Sequence, residues 1–176
     1  MASELRVDRI IPTGGIPTGG GGSIIQVVQG TKTDTSSVTG GTFADVGLSA
    51  SITPKFTSSK ILITVNSNIS SSVGFDMKSR LMRGSTAIHI GDAAGNRPRA
   101  SAAVTATYTG NQAYTQAPVA ITYLDSPSTV STTTYKLQMA SYSTYIVYIN
   151  RSGTDDNNAE YTARTASSIT LMEISG

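Results

Sequence analysis

The strongest structural signal in this 176-residue chain is the stretch KILITVNSNIS at residues 60–70. Ile61, Ile63 and Val65 share one side of an extended chain, and Leu62 lies on the other side together with polar residues. Alternation with a period of two, combined with many β-branched residues, is typical of a strand with one buried face. The stretch therefore predicts a strand whose odd-numbered side chains contribute to a core.

The same period of two continues outward from this stretch in both directions, and helix signals are nearly absent. The candidate strands are 24–30, 42–53, 60–70, 75–83, 86–90, 100–108, 115–124, 132–141, 144–149 and 166–174. Gly47 is expected to break the second of them, and turns rich in Gly, Asn, Pro and Ser separate the others. This spacing of short strands predicts an all-β fold, an antiparallel β-sandwich of the jelly-roll type.

The last candidate strand, 166–174, carries apolar side chains on both of its sides. Leu171 and Glu173 share one side, and Met172 and Ile174 share the other. We therefore expect both faces of the sheet to be covered near the C-terminus.

Residues 1–23 differ in composition from the domain of residues 24–176 that follows. The pentapeptide Ile-Pro-Thr-Gly-Gly occurs twice in tandem, at 11–15 and 16–20, and such a segment cannot build a core. Proline keeps the preceding residue extended and glycine permits many backbone angles, so the segment is predicted to be an extended arm. It is either a flexible linker or a docking arm, and its aliphatic side chains favour docking. The candidate docking residues are Leu5, Val7, Ile10, Ile11, Pro12, Ile16 and Pro17.

The composition excludes several classes of function. Cysteine is absent, which removes disulfides, thiol catalysis and cysteine-ligated metal centres. Thirteen basic and eleven acidic residues leave a net charge of +2, too weak to predict binding to nucleic acid or to a membrane surface. No apolar run approaches the ~18 residues that a membrane-spanning helix needs. The first ten residues lack the apolar run of a secretory signal, so we expect no signal peptide.

No specific catalytic or cofactor-binding motif is present. His89 is the single histidine, and its Ile-His-Ile context predicts a position on a strand face rather than in a catalytic triad. Residues 155–160 offer carboxylate and amide oxygens but lack the spacing of a calcium loop. The acidic residues are scattered through turns, with no pair placed for glycoside hydrolysis. We therefore predict no enzymatic activity, no cofactor and no metal site within one chain; an ion held by three copies of one residue on the axis of a symmetric trimer is the open alternative.

Three polar loops are candidates for contact with a receptor: residues 92–99, 108–114 and 155–161. They combine Asn, Asp, Arg, Gln and Tyr, which are common in sugar-binding and protein-binding surfaces. In a sandwich the loops gather at two ends, and the loops remote from Ile24 are expected to face outward. The candidate receptor-facing residues are Arg97, Arg99, Tyr114, Asp155 and Asn157.

Several stretches, which together cover most of the chain, resemble a known family. They are MASELRVD at 1–8, the Ile-Pro of residues 11–12, IIQVVQ at 24–29, SITP at 51–54, SSKILI at 58–63, YLDSP at 123–127 and SITLMEI at 168–174. As a set they are similar to small virion structural and tail-fibre proteins of tailed bacteriophages, particularly cyanophages. None of these stretches is a catalytic signature.

The resemblance implies a virion protein, assembled in the cytoplasm of the bacterial host, whose compact β-domain is a homotrimer. Serine and threonine make up 49 of the 176 residues, which independently favours a trimer because strand faces of this kind suit neither water nor a core. The expected function is a short tail or baseplate fibre that docks on other virion proteins through residues 1–23 and contacts a host surface glycan. A capsid decoration or head-fibre protein is the alternative. A carbohydrate-active enzyme is less favoured because the acid pair is missing.

Overall fold

The chain forms an all-β structure of eleven strands in the described residues. The computed structural model describes residues 23–73, 76–105, 114–157 and 160–176. The strands are β1 (Ile24–Lys32), β2 (Ser36–Thr39), β3 (Ala44–Ile52), β4 (Lys60–Ser71), β5 (Met77–Arg83), β6 (Thr86–Ile88), β7 (Ala102–Val104), β8 (Ala117–Asp125), β9 (Thr133–Ala140), β10 (Ile146–Ile149) and β11 (Ser167–Ile174).

The predicted strands are present, with four differences. In place of the predicted strand 100–108, β7 covers Ala102–Val104 within the described residues. Strand β2 has no counterpart in the prediction because it is short and largely polar, with Val38 as its one buried residue. Gly47 does not end β3: it adopts a positive φ of 80° inside a bulge between Asp45 and Ser49, and the strand continues. Strand β6 ends at Ile88, before the predicted end, because His89 has a φ of 51°, which no extended strand allows.

Two antiparallel sheets pack face to face as a sandwich. In the first sheet the order is β1-β11-β4-β8. Beyond the end of β11, strand β10 pairs with the same edge of β4, and β2 pairs with the other edge of β10. In the second sheet the order is β3-β9-β5, and β6 and β7 lie end to end along the free edge of β5.

The order of pairing is nested along the chain. Strand β1 pairs with β11, β3 with β9, β4 with β8, and β5 with β7, so that each pair encloses the next. A single long antiparallel hairpin that is folded over into two sheets gives this order. The predicted antiparallel β-sandwich is confirmed, and the nested order is consistent with the jelly-roll type.

The core lies between the sheets and is built from alternate residues of each strand. Ile61, Ile63 and Val65 of β4 are completely buried, as the period of two predicts. They belong to the same core cluster as Leu81 of β5 and Leu137 of β9 in the second sheet. Burial of this kind supplies most of the driving force for folding, roughly 25 cal/mol for each Å² of apolar surface.

One polar cluster fastens the two sheets together. The buried hydroxyl of Tyr135 on β9 donates a hydrogen bond to Oδ2 of Asp125 on β8 at 2.6 Å. Arg83 at the end of β5 donates from Nη1 to both oxygens of the same carboxylate, at 3.0 Å each. Burial, followed by the hydrogen bond to Asp125, raises the pKa of Tyr135. The phenol therefore remains a hydrogen-bond donor to this carboxylate.

The register defines two ends of the sandwich. Ile24 pairs with Ile174 and Ile174 with Lys60, so the first strand begins beside the start of β4 and the end of β11. We call this the near end, because the chain enters the domain here. The connections from β3 to β4 and from β8 to β9 also lie at the near end. The ends of β4, β7 and β9 and the beginnings of β5, β8 and β10 lie at the opposite, far end.

Candidate interaction surfaces

Tyr114 and Tyr161, which belong to two of the three predicted receptor loops, lie side by side toward the far end. The ring of Tyr114, just before β8, lies 5.8 Å from the ring of Tyr161, in the connection between β10 and β11. Beside them Gln116 donates to the carbonyl of Ala163 at 2.9 Å and accepts from the Thr165 hydroxyl at 2.9 Å. Residues that are far apart in the sequence thus form one surface, with Tyr161 59% exposed.

Asp155 stabilises the loop between β10 and β11. Its Oδ1 accepts from Arg164 at 2.7 Å and its Oδ2 from Arg151 at 2.6 Å. The hydrogen bond from Arg164 is the main reason that the pKa of Asp155 lies below its ordinary value, and desolvation opposes it. The Arg151 guanidinium also stacks over the ring of Tyr148, 3.8 Å from its centroid. Since both carboxylate oxygens are engaged, Asp155 braces the loop, and the exposed Asn157 is the better placed of the two to contact a ligand.

Asn150 anchors the start of this loop, and the sequence analysis missed it. Its side chain is completely buried and its φ is 64°. The amide nitrogen donates to the carbonyls of Lys32 at 2.7 Å and Asp34 at 3.0 Å, and the amide oxygen accepts from Ser167 at 2.6 Å. Asparagine directly after an apolar strand is the signal that could have identified it, because Asn tolerates the left-handed region better than most residues.

The loop after Asn150 covers part of the outer face of the first sheet. Asn68 and Ser70 lie on the same outward side of β4 as Leu62, yet Ser70 is completely buried. The Ser70 hydroxyl donates to the Arg151 carbonyl at 2.7 Å, and the Asn68 side chain donates to the Ala166 carbonyl at 3.3 Å. The protein itself therefore covers the β4 part of the far half of this outer face, while Pro118 and Ala120 of β8 remain exposed.

Arg97 and Arg99 do not join the far-end surface. Their loop connects β6 to β7, which both pair with β5, so it leaves and rejoins the middle of one sheet edge. Arg99 donates from Nε to the carbonyl of Gly91 at 2.6 Å, and its own carbonyl accepts from Arg80. Arg97 donates to the carbonyl of Ala94 at 3.3 Å. Both guanidinium groups are exposed but partly occupied by their own loop.

His89 stacks on an aromatic side chain across the edge of the sandwich. Its ring centroid lies 4.8 Å from that of Tyr123 on β8, and the two rings are inclined by 25°. Among the described residues no group of three or more His, Cys, Asp or Glu side chains is arranged to hold a metal ion. In the same residues no helix is long and apolar enough to span a membrane.

The near half of the first sheet's outer face carries a continuous apolar row, one residue from each of four adjacent strands. Val27 pairs with Met172, Met172 with Leu62, and Leu62 with Leu124. Val27 is 55% exposed and Leu124 is 44% exposed, while the two central side chains are half-buried. The expectation that both faces near the C-terminus are covered is thus met only in part, because Met172 has no covering element among the described residues.

The exposed large hydrophobic side chains of the described residues divide by chemistry between the two halves of the domain. Toward the far end they are tyrosines, and toward the near end they are aliphatic residues and one phenylalanine. The first group is Tyr142 and Tyr161, and the second is Ile24, Val27, Phe56, Leu124 and Val130. The domain is therefore polarised, with amphipathic rings at one end and apolar side chains at the other.

A buried carboxylate holds the loop between β3 and β4 at the near end. Glu173 is completely buried and accepts hydrogen bonds from the Gln26 side chain and, at 2.7 Å, from the backbone N–H of Lys55. Burial alone would raise the pKa of Glu173, but the hydrogen bonds from Gln26 and from the backbone N–H of Lys55, with the Ser59 hydroxyl close by, outweigh it and hold that pKa below its ordinary value. The ionised carboxylate thus binds β1 and this loop to β11.

The sequence matches no protein-family model, and comparison with curated proteins finds no match. The predicted docking positions lie outside the described residues; they are Leu5, Val7, Ile10, Ile11, Pro12, Ile16 and Pro17.

Proposed function

We propose that this chain is a structural protein of a tailed-phage virion. Residues 1–23 dock onto other virion proteins, and residues 24–176 form a homotrimeric β-domain. The assembly serves as a short tail or baseplate fibre for attachment to the host. The observation that carries the proposal is the polarity of the domain, since the exposed aliphatic side chains gather at the end where the arm enters and tyrosines are displayed toward the other.

This polarity suits a protein with an assembly end and a contact end. Exposed aliphatic side chains gain free energy when another protein covers them, roughly 25 cal/mol for each Å² that is buried. Tyrosine combines a ring face with a hydroxyl that remains hydrogen-bonded in water, which suits transient contact with polyhydroxylated ligands. The resemblance to fibre proteins agrees with the same orientation.

Weak binding by one domain is compatible with host attachment. Three copies on one axis, repeated around a virion, raise the overall affinity without any new contact, because each later binding event is intramolecular. The far-end surface of Tyr114, Tyr161 and Asn157 would provide the contact.

The proposal is tested first by locating the chain in the phage particle. A tag inserted after Asn157, in an exposed loop, should label the tail or baseplate when particles are imaged with a tag-directed antibody. Label on the capsid would contradict the fibre hypothesis and support the alternative, a capsid decoration or head-fibre protein. Purified particles without any label would contradict a virion role, provided that the tagged chain is expressed and folded.

A second test addresses the arm. A chain lacking residues 1–23 should fail to enter particles, while its thermal melting stays close to that of the full chain, because all eleven strands begin after residue 23. Normal incorporation of the truncated chain would show that the arm is only a linker.

Host contact is tested by display. Multimers of the full chain should bind host cells more strongly than the free protein, and alanine at Tyr114, Tyr161 or Asn157 should lower this binding. Alanine at Ser51, exposed on the second sheet, is the matched control. If the multimers ignore host cells, the domain is better explained as a structural decoration.

A further inference from the structure

The apolar row of Val27, Met172, Leu62 and Leu124 crosses the whole width of the sheet, and the two rows beyond it toward the far end are polar except for Ala120. The next rows toward the far end are Gln29-Thr170-Thr64-Thr122 and Thr31-Ser168-Asn66-Ala120. We propose that the near half of this outer face is the surface through which copies of this chain contact one another in the trimer. This inference rests on the proposed function and adds the surface that such a trimer uses.

The charge of the face favours a second copy of this chain as the occupant. Among the outward positions of β1, β11, β4 and β8, Lys60 is the one charged residue, and it lies at the end of its strand. If this face points toward the threefold axis, the same residues of all three copies lie close together, so like charges on the face would repel one another. A face of hydroxyls, amides and aliphatic groups meets its own kind without that cost.

The outer face of the second sheet shows what a solvent-facing surface of this protein looks like. Asp45 there accepts hydrogen bonds from Lys136 at 2.6 Å and from Gln138 at 2.8 Å, and the Arg80 guanidinium lies 3.7 Å from the centroid of the Phe43 ring. Charged side chains thus lie on this face, and Asp45 and Lys136 pair with each other there. The contrast makes the uncharged first sheet the better subunit contact.

The size of the face also fits a subunit contact. Four strands ~4.8 Å apart span roughly 19 Å, and the eight residues of β11 span roughly 27 Å, so the face measures about 500 Å² in plan. Its accessible area is larger because side chains project from the plane, and standard interfaces bury about 800 Å² on each partner. In addition, Ile24 begins beside the row, so three copies packed on this face would release their arms together at the near end.

The first experiment uses the absence of cysteine from the chain. Thr64→Cys places a single thiol on the central strand beside the apolar row, and Ser51→Cys places one on the exposed face of the second sheet. A short bismaleimide should link Thr64→Cys chains to one another and should leave Ser51→Cys chains unlinked. Cross-linking of both variants to the same extent, or of Ser51→Cys alone, would overturn the assignment.

The second experiment measures mass by light scattering on the full chain. The wild type should have three chain masses of 18.3 kDa, and Leu62→Asp should have one. Self-association should weaken on the order of a hundredfold or more, because unpaired carboxylates of several copies would be buried together. Ser51→Asp should remain trimeric, and circular dichroism melting should show that both variants are folded, since each position faces outward.

The outcomes separate this inference from the function on which it rests. A trimeric Leu62→Asp chain would overturn the proposed surface and leave the trimer intact. A wild type of one or two chain masses would overturn the threefold assembly itself, while the location of the chain in particles is tested independently. The double variant Ile16→Cys with Thr64→Cys tests whether the N-terminal arm occupies the face instead. Cross-linking within one chain, and not between chains, would show that it does, and would overturn the proposal that a second copy of the chain covers the face.

Discussion

Replacing Asn150 by alanine tests the idea that one buried amide positions the far-end loop. The substitution removes the donor to the Lys32 and Asp34 carbonyls and the acceptor for the Ser167 hydroxyl. The Lys32 carbonyl and the Ser167 hydroxyl lose buried partners, at about 1 kcal/mol or more each, and water can reach the part-buried Asp34 carbonyl. An alanine forced to keep the φ of 64° adds about 1 kcal/mol of backbone strain. We therefore expect a total loss of about 3 to 4 kcal/mol in the free energy of unfolding.

Asn150→Gly separates the two contributions. Glycine loses the same hydrogen bonds but adopts the left-handed region without a clash, so the Gly variant should be roughly 1 kcal/mol more stable than the Ala variant. The exposed Asn157→Ala is the control and should lie within about 0.5 kcal/mol of the wild type. The assay is urea unfolding followed by circular dichroism at one fixed protein concentration, because self-association makes stability depend on concentration.

Two results would refute this reasoning. If Asn150→Ala unfolds within about 0.5 kcal/mol of the wild type, the amide is not a determinant of stability. If the Ala and Gly variants are equally destabilised, the backbone conformation at this position contributes nothing measurable. A loss of the expected size that is accompanied by weaker binding of displayed multimers to host cells would link the anchor to the far-end surface.

Three further predictions address other parts of the fold. Glu173→Gln should lower the free energy of unfolding at neutral pH and flatten its dependence on pH in acid. Because the pKa of Glu173 is lowered in the folded state, its ionised carboxylate stabilises the wild type above the unfolded pKa of about 4.3, and this stabilisation is lost as the pH falls through the folded pKa. Urea titrations between pH 3 and pH 6 would follow the loss. Arg83→Ala should lower the free energy of unfolding by about 2 to 3 kcal/mol, because it leaves the buried Asp125 carboxylate without its cation. A melting temperature equal to that of the wild type would show that Arg83 does not stabilise the fold through Asp125. Gly30→Ala should cost several kcal/mol or block folding, because a Cβ would lie 2.0 Å from the backbone oxygen of Ser49, and an unchanged urea midpoint would show that β1 and β3 can separate at no cost.

The strands and the buried face of each were predictable because their cause is local. A period of two in apolar residues determines which side of a strand avoids water, and β4 follows this pattern from Ile61 to Ile69. The exceptions also have local causes. At Gly47 a glycine permits a bulge, and at His89 a positive φ ends the strand one residue after Ile88. Neither conformation leaves a hydrophobic pattern in the sequence.

The candidate surfaces were predictable only in part. The composition of the loops pointed to Tyr114 and to residues 155–161, and the structure brings Tyr114 and Tyr161 together. It did not show that the carboxylate of Asp155 is already engaged by Arg151 and Arg164, because charged partners in a turn-rich segment have many ways to pair. The positions predicted to dock the arm remain predictions.

The sequence by itself determined the fold class, the positions of most strands, the lack of cysteine chemistry and the low charge of the domain. These properties follow from the composition and from which side of each strand avoids water. Neither of these two causes depends on which strands are neighbours in the sheet. Only the tertiary structure decided that Val27, Met172, Leu62 and Leu124 form one row, since their alignment depends on the register of four strands separated by long loops. Pairing register is set by the packing of the whole core, and a shift of one residue would turn each of these side chains from the outer face to the inner one.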